Sequence, residues 1–423
     1  MRPAGKNTSS MHSSQGNKSI LVYMSSHKFW EGLYDAVDIG FIKNLFTNDI
    51  CTDSTVFLTT IVPPQISKTK FDELILKEEK LKNDLLPYGA VIEFFHVKGR
   101  TLFAVFSAAK EIRARISQYE HKFIWAKNYF NCFIGVMVKK RTPGTRLHFE
   151  MSGLVSEEEL LYSTSNFLYR IVNFLVLRLL ERINILNADS ISVVSRRFKE
   201  YVVNKYHPKS QKIEILPCFF DHNRFYPDKM LREEYRKKYQ ITENQKVILY
   251  SGMLQKWQEP GLLFSFLRNI QKQDTNREFR LMLLTFDQEK AHQYVEKFGL
   301  KNVIITAARG EELNGLYNAA DVGLAFRSDD MVSFVSSPVK IPEYLATGNC
   351  LITLAYIGDY GLDLRDKKYV LVKKNKTDLL QTTIQEINGL KNPGAQELEQ
   401  IQEKYSIRSN LPVISRILKG HDE

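Results

Sequence analysis

Short, continuous apolar runs rich in Val, Ile and Phe recur along this 423-residue chain, each separated from the next by a longer amphipathic stretch. In the first half they fall at residues 20–24, 55–61, 90–97, 123–126, 147–151, 190–195 and 212–217. A run that is apolar at every position, rather than at every second one, suits a strand buried on both faces of a parallel sheet. The intervening stretches, such as 70–86 and 102–118, have the period and length of helices. Strand and helix in alternation predict an α/β fold with crossover helices. A second cycle follows the segment 218–227 and the charged stretch 229–238, with strand candidates at 246–252, 279–286, 302–306, 321–326, 350–355 and 369–372. The chain is too long for one typical core. The expected division is a polar, disordered tail over 1–18, one domain over 19–225 and a second over 226–399. Tandem α/β domains leave a cleft between them, and ligands of such sheets sit at the carboxyl ends of the strands.

Charge is distributed unevenly. Of the net charge of +11, residues 1–227 carry +9, from 31 basic and 22 acidic side chains. That field suits an anionic partner, such as a membrane surface, a phosphorylated ligand or nucleic acid, or else serves solubility. Cys51, Cys132, Cys218 and Cys350 are scattered without a C-x-x-C pair, which argues against a zinc site and for a reducing compartment. No apolar run approaches the roughly 20 residues of a membrane span, and the polar tail lacks the apolar core of a signal peptide. The stretch 166–185 is apolar and carries Arg170, Arg178 and Arg182. Such a helix either lies on a membrane surface or packs with snorkelling arginines, and packing is the expectation.

Missing motifs exclude several chemistries. There is no P-loop, no G-x-G-x-x-G, no H-E-x-x-H, no G-x-S-x-G and no Asp-x-Asp pair. The nine histidines show no metal-ligand spacing. The informative segment is Ser336-Ser337-Pro338-Val339-Lys340-Ile341-Pro342-Glu343-Tyr344, ending at Gly348. A strand at 321–326 and a polar loop over 327–335 lead into it. Ser337 is expected to cap a helix that has Pro338 at its first position. A helix N-terminus attracts phosphate, and a bound anion would offset the unfavourable placement of Lys340 in the first turn. Glu343, one turn on, can accept hydrogen bonds from two vicinal hydroxyls such as those of a ribose. The alternative is an ordinary helix start with a Lys–Glu surface pair. In Tyr250-Ser251-Gly252-Met253-Leu254-Gln255-Lys256-Trp257, Gly252 ends a strand and admits a ligand close to the backbone. Lys256 is placed to meet a phosphate there, or is an exposed lysine on a plain turn.

Together these segments, with Gly310–Phe326, Val194–Val202 and Ile215–Phe225, resemble the retaining glycosyltransferase family 4 group, over almost the whole chain after the tail. Ser337-Pro338-x-Lys340-x-x-Glu343-Tyr344 is similar to the variant of bacterial surface-polysaccharide transferases. The resemblance implies the GT-B architecture, two Rossmann-like domains facing across a cleft. The first domain, with the C-terminal helix 400–423, would bind the acceptor and the second the nucleotide-sugar. It implies a hexosyltransferase acting with retention in polysaccharide or glycoconjugate biosynthesis, without a metal or other cofactor. Its donor site would comprise Gly252, Lys256, Arg327, Ser337, Pro338, Lys340 and Glu343, with Lys256 and Glu150 as catalytic candidates. Glu343 matches the second Glu of the family's E-x7-E motif, whereas the first position is Val335. The position where many relatives carry a His near the donor sugar is Glu150, which either orients hydroxyls or is a structural carboxylate. The acceptor loop is altered, with Glu31-Gly32 as its nearest match. The implied partners are a nucleotide-sugar and a glycan or lipid-linked acceptor, at a cytoplasmic location either free or peripheral on an anionic membrane. Two other readings remain: a degenerate transferase serving as a glycan-binding scaffold, and a transferase acting on nucleic acid.

Overall fold

Every apolar run becomes a strand in the computed structural model, which describes residues 19–25, 38–51, 54–63, 65–99, 101–209 and 212–420. The strands of the first half are β1 (Ser19–Met24), β2 (Ser54–Val62), β3 (Val91–Lys98), β4 (His121–Lys127), β5 (Thr145–Met151), β6 (Ser190–Val193) and β7 (Ile213–Ile215). They form one sheet in the order β3-β2-β1-β4-β5-β6-β7, with every pairing parallel. The second half supplies β8 (Lys246–Ser251), β9 (Phe279–Leu284), β10 (Val303–Thr306), β11 (Val322–Ala325), β12 (Cys350–Leu354) and β13 (Val370–Lys373). Their order, β10-β9-β8-β11-β12-β13, repeats the same winding, again wholly parallel. Each sheet reverses direction beside its first strand, between β1 and β4 and between β8 and β11. Ligand crevices of doubly wound sheets open at these points. The expected pair of Rossmann-like domains is therefore present. The tail and the Glu31-Gly32 loop lie outside the described residues.

Strand alternation sorts the first core into two layers. Ile20, Val22 and Met24 of β1 face one layer, packed by helices Leu102–Ile116, Tyr129–Lys139 and Phe167–Asn187. Leu21 and Tyr23 face the other, packed by helix Gly40–Thr47 and by Ile407, Leu411, Ile414 and Ile417 from the end of the chain. The chain returns to the first domain at Ser406. Helix Ala395–Tyr405 packs Ile401 and Tyr405 into the second core, and helix Ile407–Lys419 packs into the first. Arg146 closes the far end of that helix by donating to the carbonyls of Ile417, Leu418 and Lys419 at 2.9–3.1 Å. Phe220 pairs beside Ser406, so the two crossings between domains run side by side.

Helix Phe167–Asn187 departs from the packing expectation. Asn166 caps it, accepting from the Tyr169 N–H at 2.9 Å, and Leu177, Leu180, Glu181, Asn184 and Ile185 bury its inner face. Its outer face is also apolar and is exposed. Packing thus accounts for one side of the helix only.

Candidate functional site

β8 stops at Ser251, whose N–H donates to Tyr344 Oη at 2.8 Å. Gly252 then takes φ +138°, and a Cβ there would lie 3.0 Å from Lys340 Nζ. The glycine thus brings backbone and ammonium together at the carboxyl end of the sheet. Lys340 begins helix Lys340–Ala346 and is buried. Its Nζ lies 4.4 Å from the centre of the Tyr250 ring and donates to Gln258 Oε1 at 3.1 Å. Burial, reinforced by the charge of Arg327, pushes the Lys340 ammonium down to about 7 against the pull of Glu343. Arg327 follows β11 and is itself depressed by burial. Its buried Nε has no hydrogen-bond partner among the described residues. Two cations are thus held together in a poorly solvated crevice, where an anion would be strongly favoured.

Glu343 stands one turn beyond Lys340. Burial raises its carboxyl to about 7, opposed by Arg224, by a hydrogen bond from Tyr317 and by Lys340. Tyr317 Oη donates to Glu343 Oε2 at 3.2 Å and lies 3.0 Å from Ser251 Oγ. Glu343, Tyr317 and the end of β8 therefore form one polar wall. Lys256 sits on the short turn Lys256–Gln258, exposed at the mouth of the crevice.

The segment before Lys340 differs from expectation. Residues 327–335 do not form a loop throughout: Met331–Val335 is helical, capped by Asp330 accepting from the Ser333 N–H at 2.9 Å. Val332 and Val335 are buried in the core of the first domain. Ser337 does not cap the next helix, which starts at Lys340 after Val339 with no side-chain cap. Its Oγ instead accepts from the Cys218 N–H at 3.2 Å and lies 3.1 Å from Tyr360 Oη. Pro338 contributes its carbonyl, which accepts from the Ile341 N–H at 3.2 Å. Ser195 Oγ reaches across to donate to the Val335 carbonyl at 2.8 Å. Residues 330–337 are thus a strap joining the domains. Val335, which stands where the family that the sequence resembles carries the first Glu of its E-x7-E motif, faces a core and not the crevice.

In the first domain Glu150 lies at the end of β5. One oxygen is 3.1 Å from Lys127 Nζ and the other accepts from Trp125 Nε1 at 2.6 Å. Lys127 also meets Asp38 at 3.2 Å, and Asp38 accepts from Tyr23 at 2.8 Å and Ser25 at 2.5 Å. Burial alone would lower Lys127, but Glu150 and Asp38 outweigh it and hold the ammonium above the ordinary lysine value. Next to it Asn128 adopts φ 64°, a rare conformation for a residue with a side chain. Gly252, Arg327, Lys340 and Glu343 thus converge at the end of the second sheet, with Lys256 at their edge and Ser337 and Pro338 on the strap. Glu150 belongs to a separate ion cluster in the first domain. Tyr250, Gln258, Tyr317 and Arg224 were not legible as site residues, because lone aromatic or polar side chains at those positions carry no spacing signal. Among the described residues no group of three or more His, Cys, Asp and Glu side chains is placed to hold a metal ion.

No protein-family model and no curated protein matches the sequence. Solved structures do resemble the fold. A glycosyltransferase from Rickettsia africae superposes with a TM-score of 0.66 at 15% identity, over 96% of this chain and 100% of that one. The Anabaena protein Alr3699/HepE in complex with UDP-glucose gives 0.66 at 13% identity, over 95% and 99%. WaaG, a glycosyltransferase involved in lipopolysaccharide biosynthesis, gives 0.61 at 15% identity, over 95% and 100%. At such identities the likeness is one of fold, and it covers 95–96% of this chain. The chain has the GT-B architecture found in these glycosyltransferases.

Proposed function

We propose that the protein is a glycosyltransferase that takes a sugar from a nucleotide-sugar and passes it to a glycan or lipid-linked acceptor. The observation that carries this reading is the buried Lys340 beneath the Gly252 turn, with the charge of the partly buried Arg327 acting on it and Glu343 one helical turn away. A diphosphate would lie against Gly252 and between the cations, and Glu343 would accept from the ribose hydroxyls. The Anabaena neighbour, whose structure contains UDP-glucose, supports a nucleotide-sugar as the donor class.

The chemistry follows from what the leaving group requires. When the bond from the anomeric carbon to the phosphate oxygen breaks, negative charge accumulates on the diphosphate. Lys340 and Arg327, with Lys256 at the edge, stabilise that charge in a poorly solvated site. They supply the positive charge without a metal. In a front-face substitution the acceptor oxygen bonds to the same face of the anomeric carbon as the phosphate leaves. The acceptor proton passes to the departing phosphate, and configuration is retained. Glu150 and Lys127 lie on the acceptor side and position groups there, since Lys127 and Trp125 already occupy both oxygens of Glu150.

A thermal-shift screen with UDP, GDP and ADP and their sugars, in EDTA and then with magnesium, tests this. One nucleoside diphosphate should stabilise the protein in EDTA, by about 2.7 kcal/mol at 100 times its dissociation constant. Release of that nucleotide from its sugar when acceptor is added would follow. Binding without turnover on any acceptor would point to a scaffold, and no stabilisation by any nucleotide would remove the reading.

A further inference from the structure

We propose that the outer face of helix Phe167–Asn187 docks the protein onto an anionic lipid bilayer. Leu168, Val172, Leu175, Val176, Leu179 and Leu186 are each 47–74% exposed. At 100° per residue they fall on one side of the helix, opposite the buried Leu177 and Asn184. The stripe runs for about 27 Å at 1.5 Å per residue. A soluble surface rarely leaves so long an apolar band uncovered, and a helix apolar on both sides has a second apolar environment to meet.

Charge identifies that environment. The groove beside Leu186 is walled by Lys139, Lys140 and Lys212. Lys140, Arg141 and Arg182 are exposed in the same helical layer. Of the acidic groups near the helix, Glu157 and Glu181 pair with Arg178 and Asp189 pairs with Lys139, while Glu159 accepts from Asn173 Nδ2 at 3.3 Å. An apolar stripe edged by lysine and arginine fits lipid tails below and anionic headgroups around it. A second copy of the chain fits less well, because two surfaces of net positive charge would face each other. Among the described residues no helix is long and apolar enough to cross a membrane, so the contact lies along the surface. The first turn of the helix, at Phe167, lies at the carboxyl end of the first sheet, as do the exposed Phe103 and Phe106 of helix Leu102–Ile116. The docked face therefore reaches the rim of the crevice.

Flotation of the full chain with vesicles of phosphatidylcholine alone, or of phosphatidylcholine mixed with phosphatidylglycerol, tests this independently of the donor site. The wild type should float with the mixed vesicles and much less with the neutral ones. The double substitution Leu175→Asp and Leu179→Asp, on exposed positions, should float at least ~10-fold less while keeping its melting temperature and its nucleotide response. Lys140→Glu with Arg141→Glu should weaken flotation at low salt and differ little from wild type at high salt. A wild type that floats with neither vesicle, or an aspartate variant that floats as well as wild type, overturns the proposal. A wild-type dimer dissociated by the aspartates, with no flotation, overturns it in favour of self-association. Loss of nucleotide binding in the wild type would fault the transferase reading and leave this one standing.

Discussion

Lys340 has no carboxylate within ion-pair distance among the described residues, and the charge of Arg327 reaches it through a poorly solvated crevice. Its folded value of about 7 lies below that of a lysine in an unfolded chain. Between the two values the folded state holds fewer protons than the unfolded one, so the contribution of Lys340 to stability rises with pH across that window. Glu343 runs the other way, because its raised carboxyl makes its contribution fall as pH climbs from the ordinary carboxylate value to about 7. If the proposed site is right, a bound diphosphate would hold Lys340 as an ammonium. At pH 8, binding of a nucleoside diphosphate should therefore take up close to one proton, read by calorimetry in buffers of different ionisation enthalpy. Lys340→Gln should abolish the uptake and weaken binding by roughly tenfold or more. Unchanged proton uptake in that variant would remove Lys340 from the phosphate site. Gly252, Lys340 and Glu343 were legible because each residue type has a local reason to stand where it does. The role of Ser337 was not: its partners Cys218 and Tyr360 lie 119 and 23 residues away.

Elements were easier to read than their joints. Strands buried on both faces have to be continuously apolar, so each apolar run marked one, and their ends shifted by only a few residues. The helix Met331–Val335 was hidden because its start, Asp329-Asp330, reads as loop chemistry. Only the buried Val332 and Val335 show what it packs against. Close approaches between elements were equally hidden. Gly323 in β11 lies under Tyr344, where an added Cβ would sit 2.3 Å from the ring, and Tyr344 in turn holds the end of β8. Gly323→Ala should destabilise the second domain by about 1–3 kcal/mol, as overpacking does. The check is denaturant unfolding, and an unchanged midpoint would show that the ring shifts freely. Gly358, at φ +47°, lies against the Ser336 carbonyl and accommodates the strap in the same way.

At the scale of the molecule, the two domains meet through the strap and through a charge cluster at the second crossing. Arg196 pairs with Asp359 at 3.3 Å and with Asp363, and Lys404 meets Asp363 at 2.6 Å. Burial would raise Asp363, but Lys404 and Arg196 outweigh it and hold the carboxyl below its usual range. That stabilisation is present above the unfolded carboxylate value and is lost as pH falls through the folded one. Asp363→Asn should cost about 1 kcal/mol at pH 7, since Arg196 is half exposed and screened. The gap between variant and wild type should narrow in urea melts as pH falls below the unfolded carboxylate value, and a gap that stays equal at every pH would contradict the assignment. The two-domain layout was legible from the repeated alternation of runs. The apolar outer face of helix Phe167–Asn187 was legible as composition but not as exposure, which depends on how the helix is turned.

The most direct test of the donor site is calorimetric titration, in EDTA, of the nucleoside diphosphate that stabilises the protein, into wild type and Glu343→Ala. If Glu343 holds the ribose, the variant should bind about 5- to 150-fold more weakly, the loss of 1–3 kcal/mol from charge-assisted hydrogen bonds. Inorganic diphosphate, which has no ribose, should bind the two proteins within a few-fold of each other. Equal affinity of wild type and variant for the nucleotide would contradict the account.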